Sequence, residues 1–315
     1  MPVNLPSGIR SLAVGTAGML LVLTGTVFTA FEATARQQTA PAGQPPPGGR
    51  GGRGGGFVVA PVPFEDRTGF ESMFNGTSLN PGEQQMQSAM QGDESGGRGR
   101  GGRGSAQVSR FQDWDGDPKF WRAENGTIVG ESTTQNVVGP NTFLIWRGGT
   151  PGDFELKAEV RMNSTNSGIQ YRSRMLPPNQ GLRPDQTGHA WRLAGYQMDM
   201  DFANEYPGLL YEEAGRAFLA PRGTVSYIAP DGTKGTIGTL KSLDELKASF
   251  KPGDWNQFHL IARGNTLIHI INGQTTAVCI DDDLKGRSMA GLIGFQLHAG
   301  PPMKLEIRNV AIKLR

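Results

Sequence analysis

An alternation of apolar and polar residues with a period of two runs through most of the chain after residue 154, and it constrains the fold more than any other feature. The alternating segments are 154–162, 167–175, 195–202, 255–264, 266–273, 275–281, 291–299 and 303–315, and Gly, Asn, Asp or Pro separates them. This period places the apolar side chains of each strand on one face. Only 242–250 predicts a helix, because Ser242 is a suitable N-cap and Glu245 completes a capping box. The pattern predicts an all-β fold, an antiparallel two-sheet sandwich with one short helix.

Residues 1–35 have the layout of a secretory signal peptide. An apolar run of small residues follows Arg10, and residues 33–35 form an A-x-A site. This layout predicts cleavage after Ala35 and export to the periplasm or the exterior. The alternative is an uncleaved anchor, because about 20 apolar residues are long enough to span a bilayer. A membrane is an expected partner only in that second case.

Two Gly- and Arg-rich tracts divide the rest of the chain. They have too few apolar groups to offset the entropy of ordering, which predicts a disordered linker at 36–63 and a disordered insertion at 82–109 within a folded domain at 64–315. Arg-Gly repeats can bind single-stranded nucleic acid, but in an exported protein a solvated linker is the favoured interpretation. Outside these tracts and the N-terminus, acidic residues slightly outnumber basic ones, so no nucleic-acid partner is predicted. The single cysteine, Cys279, excludes an intrachain disulfide framework.

The strand at 195–201 carries the first candidate site. Its alternation places Gln197, Asp199 and Asp201 on one face, opposite Tyr196 and two methionines. Two carboxyls on one face repel each other, so one of them should have a raised pKa. Such a pair can supply both an acid and a base. The alternative is a solvated outer face of the sandwich.

Two further strands favour a binding face. The alternation places Gln170, Arg172 and Arg174 together on one strand, and Gln296 with His298 on another. Amide and guanidinium groups form the paired hydrogen bonds that sugar hydroxyls accept and donate. His298 can exchange a proton near neutral pH.

The segment 207–223 contains a polar cluster in a Gly-bounded stretch. Tyr211, Glu212, Glu213 and Arg216 occupy the kind of loop that carries function over a rigid sheet, although a surface salt-bridge cluster explains them nearly as well. The Asp run at 281–283 could bind Ca²⁺, but no further spaced ligands accompany it, so no metal or other cofactor is predicted. Phosphoryl-transfer, zinc-protease and serine-hydrolase motifs are absent from the sequence.

Together these motifs resemble a known family. They are GFESMFNGTSL (69–79), WRAENGTIVG (121–130), the run at 154–173, GYQMDMD (195–201), PGLLYEE (207–213), the run at 253–273 and the closing run at 291–313. The chain is similar to the 3-keto-disaccharide hydrolase domain family over its whole folded body. The resemblance implies a concanavalin A-like jelly-roll sandwich, export from a bacterial cell and cleavage of glycosides already oxidised at C3. It also implies that a sugar 3-oxidoreductase works in the same compartment.

The family's site residues can be carried over by position. The matching positions are Asn166, Ser167, Gly168, Arg172, Gly195, Tyr196, Gln197, Asp199, Asp201, Gln296 and His298. Two departures stand out. Many relatives have a Glu two residues before a Gln where this chain has Gln197 and Asp199, and the insertion at 82–109 separates the first strand from the others.

The expected reaction is β-elimination, because a ketone at C3 acidifies the hydrogen at C2. Asp199 or His298 is the expected base, Arg172 with Gln296 supports the enolate oxygen, and Glu212 is the expected acid. The expected substrate-contacting residues are Asn166, Arg172, Gln197, Asp201, Tyr211, Arg216 and Gln296.

Two other functions remain open at this stage. One is a non-catalytic, lectin-like carbohydrate-binding module with aromatic platforms, for which the candidates are Trp114, Trp121, Trp146, Trp191 and Tyr211. The other is an endoglucanase-type glycoside hydrolase acting on unoxidised sugar through two carboxyls. Gln197 argues against the second, because a Glu would be expected at that position.

Overall fold

The structure of the protein is a computed structural model, and it describes residues 63–92 and 109–315. The predicted signal peptide at 1–35 and all but the last residue of the predicted linker at 36–63 lie outside the described residues. Within the described ranges, no helix is both long enough and apolar enough to cross a membrane.

The described residues form seventeen strands and two helices. The strands are β1 (Glu71–Ser72), β2 (Trp114–Asp115), β3 (Trp121–Glu124), β4 (Thr127–Glu131), β5 (Thr142–Trp146), β6 (Phe154–Met162), β7 (Asn166–Met175), β8 (Leu193–Asp201), β9 (Leu210–Glu213), β10 (Ala217–Ala220), β11 (Thr224–Ile228), β12 (Lys234–Thr239), β13 (Asn256–Arg263), β14 (Thr266–Ile271), β15 (Gln274–Asp281), β16 (Leu292–Leu297) and β17 (Lys304–Leu314). The helices are α1 (Pro81–Gly92) and α2 (Leu243–Ser249).

These strands make two sheets. The larger has the order β12-β11-β15-β14-β13-β6-β17-β4-β3, with β1 pairing with β17, and the smaller has the order β10-β9-β8-β7-β16-β5-β2. The predicted all-β, two-sheet sandwich is confirmed. One pair departs from the antiparallel prediction, because β11 runs parallel to β15.

The alternation in sequence explains how the two sheets pack. In β13 and β14 every second residue is buried, and in β8 the inward side chains Met198 and Met200 are fully buried. They pack in one hydrophobic cluster with Leu260 and Ile307 of the larger sheet. Burying one apolar face of each sheet against the other is what holds a sandwich together.

One helix confirms the sequence prediction and the other corrects it. The Ser242 side chain accepts the backbone N–H of Glu245, and the Glu245 carboxylate accepts that of Ser242, so the predicted capping box begins α2. The insertion predicted to be disordered at 82–109 instead forms α1 over its first eleven residues. The buried Asp113 carboxylate accepts the N–H of Gly82 at 2.7 Å, a distant contact that local composition does not reveal. Residues 93–108 lie outside the described residues.

Candidate active site

The outer faces of β7 and β8 are polar and yet buried. Gln170 and Gln197 are directly opposite each other in the strand register, and both are at most 2% exposed. Asp199 is 6% exposed. A solvated outer face would leave such groups in water, so the structure excludes that interpretation of this strand pair.

A chain of hydrogen bonds orients the amides toward Asp199. Ser173 Oγ donates to Gln170 Oε1 at 2.7 Å, and Gln170 Nε2 donates to Gln197 Oε1 at 2.9 Å. Gln197 Nε2 then donates to Asp199 Oδ1 at 3.0 Å, and Asn166 Nδ2 donates to the other carboxyl oxygen at 3.0 Å. The chain fixes which end of each amide faces the carboxyl group.

Gly168 provides the room for this arrangement. It is opposite Asp199 in the register, and a Cβ on it would lie 2.4 Å from the Gln197 side chain. Any larger residue would displace Gln197 from the carboxyl group, which explains the Gly in the Asn-Ser-Gly motif.

A pocket of about 470 Å³ opens over this face. Its lining residues are Asn141, Asn166, Gln197, Asp199, Asp201, Tyr206, Leu209, Tyr211, Glu213, Phe218, Gln296 and His298. Seven predicted site residues therefore meet in one cavity: Asn166, Gln197, Asp199, Asp201, Tyr211, Gln296 and His298.

Two carboxyls in the pocket resist ionisation. Burial is the main cause that raises the pKa of Asp199 to about 8, with Asp201 and Glu213 adding repulsion, and these effects outweigh the two amide hydrogen bonds. Burial also raises the pKa of Glu213, although Asn141 donates to its Oε1 at 3.1 Å. At neutral pH Asp199 is mainly protonated and can donate a proton.

His298 has the opposite character. Burial lowers its pKa below the ordinary value of histidine, so the ring is neutral at pH 7. Its Nδ1 is paired with the carbonyl oxygen of Ala299, which only accepts, so the proton is assigned to Nδ1. Nε2 keeps its lone pair and has no hydrogen-bond partner among the described residues. Asn141 accepts the N–H of Ala299 at 2.9 Å and so connects this backbone to Glu213.

Gln296 brings an unsatisfied amide to the pocket. The residue is 1% exposed, and its Oε1 is buried without a partner among the described residues. Its backbone carbonyl is held by Ser167 Oγ at 2.7 Å, which connects β16 to β7. A buried polar group left without a partner costs free energy, so its retention indicates a role in binding.

Asp201 lines the pocket but is already engaged. Its carboxylate accepts the backbone N–H groups of Ala203, Glu205 and Tyr206. It therefore anchors the loop after β8, whereas the sequence predicted a contact with substrate.

Arg172 does not reach the pocket, contrary to the sequence prediction. A β-bulge shifts the register of β7 between Tyr171 and Arg174, and Arg172 has a φ of 45°. The guanidinium group instead binds the carbonyl oxygens of Gly152 and Gly264 and the Asp153 carboxylate. The period-two pattern failed here because a bulge changes the facing of the residues that follow it.

Glu212 and Arg216 also lie away from the pocket, as a correction to their predicted roles. Glu212 is opposite the inward-facing Tyr196 in the register, and Arg216 binds it at 2.7 Å. Arg216 binds Asp281 at 2.7 Å and Asp283 at 3.1 Å as well. The structure shows the alternative interpretation, a salt-bridge cluster, but its carboxylates are buried and do not lie at the surface.

The same contacts occupy the Asp run that could have bound Ca²⁺. Asp281 and Asp283 face a guanidinium group, and Asp282 accepts hydrogen bonds from Asn265 and Arg287. In the part of the chain that the structure describes, no group of three or more His, Cys, Asp or Glu side chains is placed to hold a metal ion.

Sequence analysis named Glu213 in the polar cluster but gave it no role in the site, although the alternation contained the signal. Tyr211 and Glu213 are two residues apart in β9, so alternation places them on one face and Glu212 on the other. Tyr206 and Phe218, also missed, each lie about half exposed at the pocket. Their positions depend on loop geometry, for which the sequence offered no signal.

The tryptophans proposed as sugar-binding platforms are wrong candidates. Trp114, Trp121 and Trp146 are at most 3% exposed and belong to the core. Trp191 is partly buried, and its Nε1 donates to Asp115 at 2.7 Å. Of the five predicted aromatics, Tyr211 alone lines the pocket.

No curated protein matches the chain. A protein of Parabacteroides distasonis ATCC 8503 named as a candidate glycosyl hydrolase is 18% identical, with a TM-score of 0.42 over 79% of this chain and 94% of that one. A protein of unknown function with a galectin-like fold from Bacillus subtilis is 16% identical, with a TM-score of 0.41 over 67% and 92% of the two chains. The carbohydrate-binding module CBM66 from Bacillus subtilis is 11% identical, with a TM-score of 0.39 over 64% and 94%.

A family profile covers most of the chain. The 3-keto-alpha-glucoside-1,2-lyase-like domain matches residues 69–313, which includes every residue of the pocket. The family was indicated by the resemblance in sequence, and a glycosidase-like activity on carbohydrates follows from it. This chain therefore belongs to the 3-keto-alpha-glucoside-1,2-lyase-like domain family of carbohydrate-active proteins.

Proposed function

We propose that this protein cleaves glycosides whose sugar is already oxidised to a ketone at C3. One observation carries the proposal: a single pocket contains a neutral histidine with a free Nε2, a protonated carboxyl group and an unsatisfied amide. Elimination from a 3-keto-glycoside needs a base at C2, a donor at the C3 oxygen and an acid at the leaving oxygen.

His298 is the base in this mechanism. Its Nε2 takes the proton from C2, and the electron pair of that bond moves into the conjugated enolate. A base with a lowered pKa is weak, but it is mainly unprotonated at neutral pH, and the adjacent ketone acidifies the C2 hydrogen.

Gln296 supports the negative charge that develops on the C3 oxygen. Its Nε2 forms no hydrogen bond within the described residues, so its N–H groups are available to a substrate in the pocket. Asn166, on the neighbouring strand β7, can contribute while it holds Asp199. These amides replace Arg172, which the bulge carries away from the site.

Asp199 is the acid. When the bond from C1 to the leaving oxygen breaks, its electron pair stays on that oxygen, which takes the proton of Asp199. The product is an unsaturated 3-keto sugar with a C1–C2 double bond. Water then adds across this bond. The water oxygen bonds to C1 while Asp199 accepts a proton from that water, and His298 returns a proton to C2. Both residues regain their starting states, and Glu212 has no part in the reaction.

Export and a supply of oxidised substrate belong to the same proposal. The signal-peptide pattern at 1–35 favours action outside the cytoplasm. Because the substrate must first lose two electrons at C3, a sugar 3-oxidoreductase has to work in the same compartment.

The direct test compares a 3-keto-α-disaccharide with its unoxidised parent. The protein is expected to release monosaccharide from the keto form only, and in D₂O the product should carry deuterium at C2. Cleavage of the unoxidised parent would instead show an endoglucanase-type hydrolase.

The lectin alternative has its own test. Asp199→Asn keeps the size of the side chain but removes the transferable proton, so turnover should fall about 10²- to 10⁴-fold while sugar binding persists. If the wild-type protein binds the disaccharide and cleaves neither form, the lectin-like function replaces the enzymatic one.

A further inference from the structure

Three aromatic side chains form a cluster at the pocket, which we call the aromatic rim: Tyr206, Tyr211 and Phe218. Tyr206 and Phe218 are each 50% exposed. The Phe218 ring meets Tyr211 edge-on at 5.3 Å between centroids and 77° between planes, and it meets Tyr206 at 6.3 Å and 47°. Exposed aromatic surface of this kind is unfavourable in water and marks a contact surface.

The rim is held in place by contacts that need no ligand. Asp201 accepts the N–H groups of Glu205 and Tyr206, and Arg222 binds the backbone and side-chain oxygens of Asn204. On the other side, Lys234 Nζ donates to the Phe218 carbonyl oxygen at 3.0 Å. Because the free protein already orders these rings, a ligand that contacts them loses little further entropy.

The rim is next to the group that would protonate the leaving oxygen. Tyr211 in β9 is directly opposite Gln197 in β8, and Gln197 donates to Asp199. A substrate whose leaving oxygen is at Asp199 therefore extends its aglycone toward Tyr211 and the rest of the rim.

We propose that the aromatic rim is an aglycone subsite that selects glycosides of planar aromatic alcohols, an inference that rests on the proposed function. The rings are inclined to one another, so they form a corner and not a flat plate. A planar aromatic ring can lie on one ring of such a corner and meet the next edge-on, the two geometries that aromatic pairs prefer.

A second sugar ring suits this surface less well. Each of its hydroxyls needs a hydrogen-bond partner when it leaves water. The rim itself offers only the hydroxyls of Tyr206 and Tyr211, which have no hydrogen-bond partner among the described residues, and the buried wall beside them is Leu209. The surface is therefore matched to an apolar face.

The experiment measures binding and turnover separately. Benzyl and methyl α-glucosides are compared by calorimetry, since neither carries the ketone that elimination needs. Turnover is then compared on the 3-keto-glucosides of benzyl alcohol and methanol. These two alcohols have similar acidity, so a difference in turnover does not come from leaving-group chemistry. The 3-keto-α-disaccharide is the third substrate and tests a sugar as the aglycone. The variants are Phe218→Ala and, as a matched control, Ile237→Ala, which removes an exposed apolar side chain from β12 in the other sheet.

The wild-type protein is expected to bind the benzyl glucoside about tenfold more tightly than the methyl glucoside, a difference of about 1.4 kcal/mol. The ratio of the methyl-glucoside Kd to the benzyl-glucoside Kd should fall to near one in Phe218→Ala and stay unchanged in Ile237→Ala. The ratio of kcat/KM for the benzyl and methyl keto-glucosides should change in the same way in these two variants. Equal binding of the two glucosides, or a disaccharide preferred over the benzyl compound, would overturn the subsite. A benzyl preference in binding without cleavage of any keto-glucoside would leave the subsite standing and refute the elimination chemistry.

Discussion

At the scale of single residues, the site separates proton donor from proton acceptor by burial. Asp199 has its pKa raised to about 8, and burial lowers the pKa of His298 below its ordinary value near 6.5. Asp199 therefore holds the opposite protonation state from the one that water would give it at pH 7, and His298 is more completely neutral than it would be in water. A buried carboxylic acid and a neutral imidazole are the pair that elimination requires.

The pH profile follows from these two shifts. Activity needs Asp199 protonated and His298 neutral, so kcat/KM should fall above a pKa of about 8 and below a pKa that lies under the ordinary histidine value. Glu213→Gln should keep the alkaline limb but move it to lower pH, since it leaves Asp199 in place and removes one source of repulsion from its carboxylate. Activity that rises through pH 8 would mean that ionised Asp199 is the base.

Gln296 and Gln197 make a matched pair of substitutions. Gln296→Leu removes a buried oxygen that has no partner, so it should raise the free energy of unfolding by about 1 kcal/mol while turnover falls. Gln197→Leu removes a side chain with two bonded amide atoms and should lower stability by about 1–3 kcal/mol. Denaturant unfolding measures both. Loss of stability in Gln296→Leu would show that its amide is satisfied in solution.

At the scale of elements, the β9–β10 hairpin presents two different faces. Tyr211 and Glu213 face the pocket, while Glu212 faces the cluster around Arg216 between the sheets. The cluster fixes the hairpin to β15 through Asp281, which is 1% exposed. Glu212, which sequence analysis assigned to catalysis, and Arg216, which it assigned to substrate binding, thus hold the strand that carries the pocket residues.

Removing Arg216 should test this role. Arg216→Met leaves Glu212 and Asp281 buried without a counter-charge, which is expected to cost about 3–5 kcal/mol of stability. The control Arg122→Met breaks an exposed pair with Glu124 and Glu131 and should cost no more than about 1 kcal/mol. Similar losses in thermal unfolding for both variants would show that the cluster contributes little.

At the scale of the whole molecule, the chain combines one sandwich domain with an N-terminal region that the family match does not cover. The family match covers 69–313, so the first residues of the chain are not part of the domain. Their sequence pattern predicts export, and their composition predicts a spacer.

Processing of that region can be measured directly. After expression in a bacterial cell with a periplasm, mass spectrometry of the exported protein should give an N-terminus at Arg36, because cleavage follows the A-x-A site. A protein that keeps its apolar segment and stays with the membrane fraction would show the uncleaved anchor.

The sequence by itself determined the class of fold and the faces of the straight strands. Alternation placed Asp199 with Gln197, and Gln296 with His298, because a regular strand turns every second residue to the same side. The same rule failed at Arg172, where one bulge redirects the side chain, and it would have chosen Glu213 over Glu212 had it been applied to β9.

Only the tertiary structure decided which polar groups share the pocket and which ones bind each other. Asp199 is on β8, Gln296 and His298 come almost one hundred residues later, and Phe218 reaches the same cavity from a hairpin. Strand order sets these neighbours, and the burial that shifts the pKa of Asp199 exists only once the sheets are packed. Local pattern fixes the direction of a side chain, whereas charge state and chemical partners depend on contacts between residues far apart in the chain.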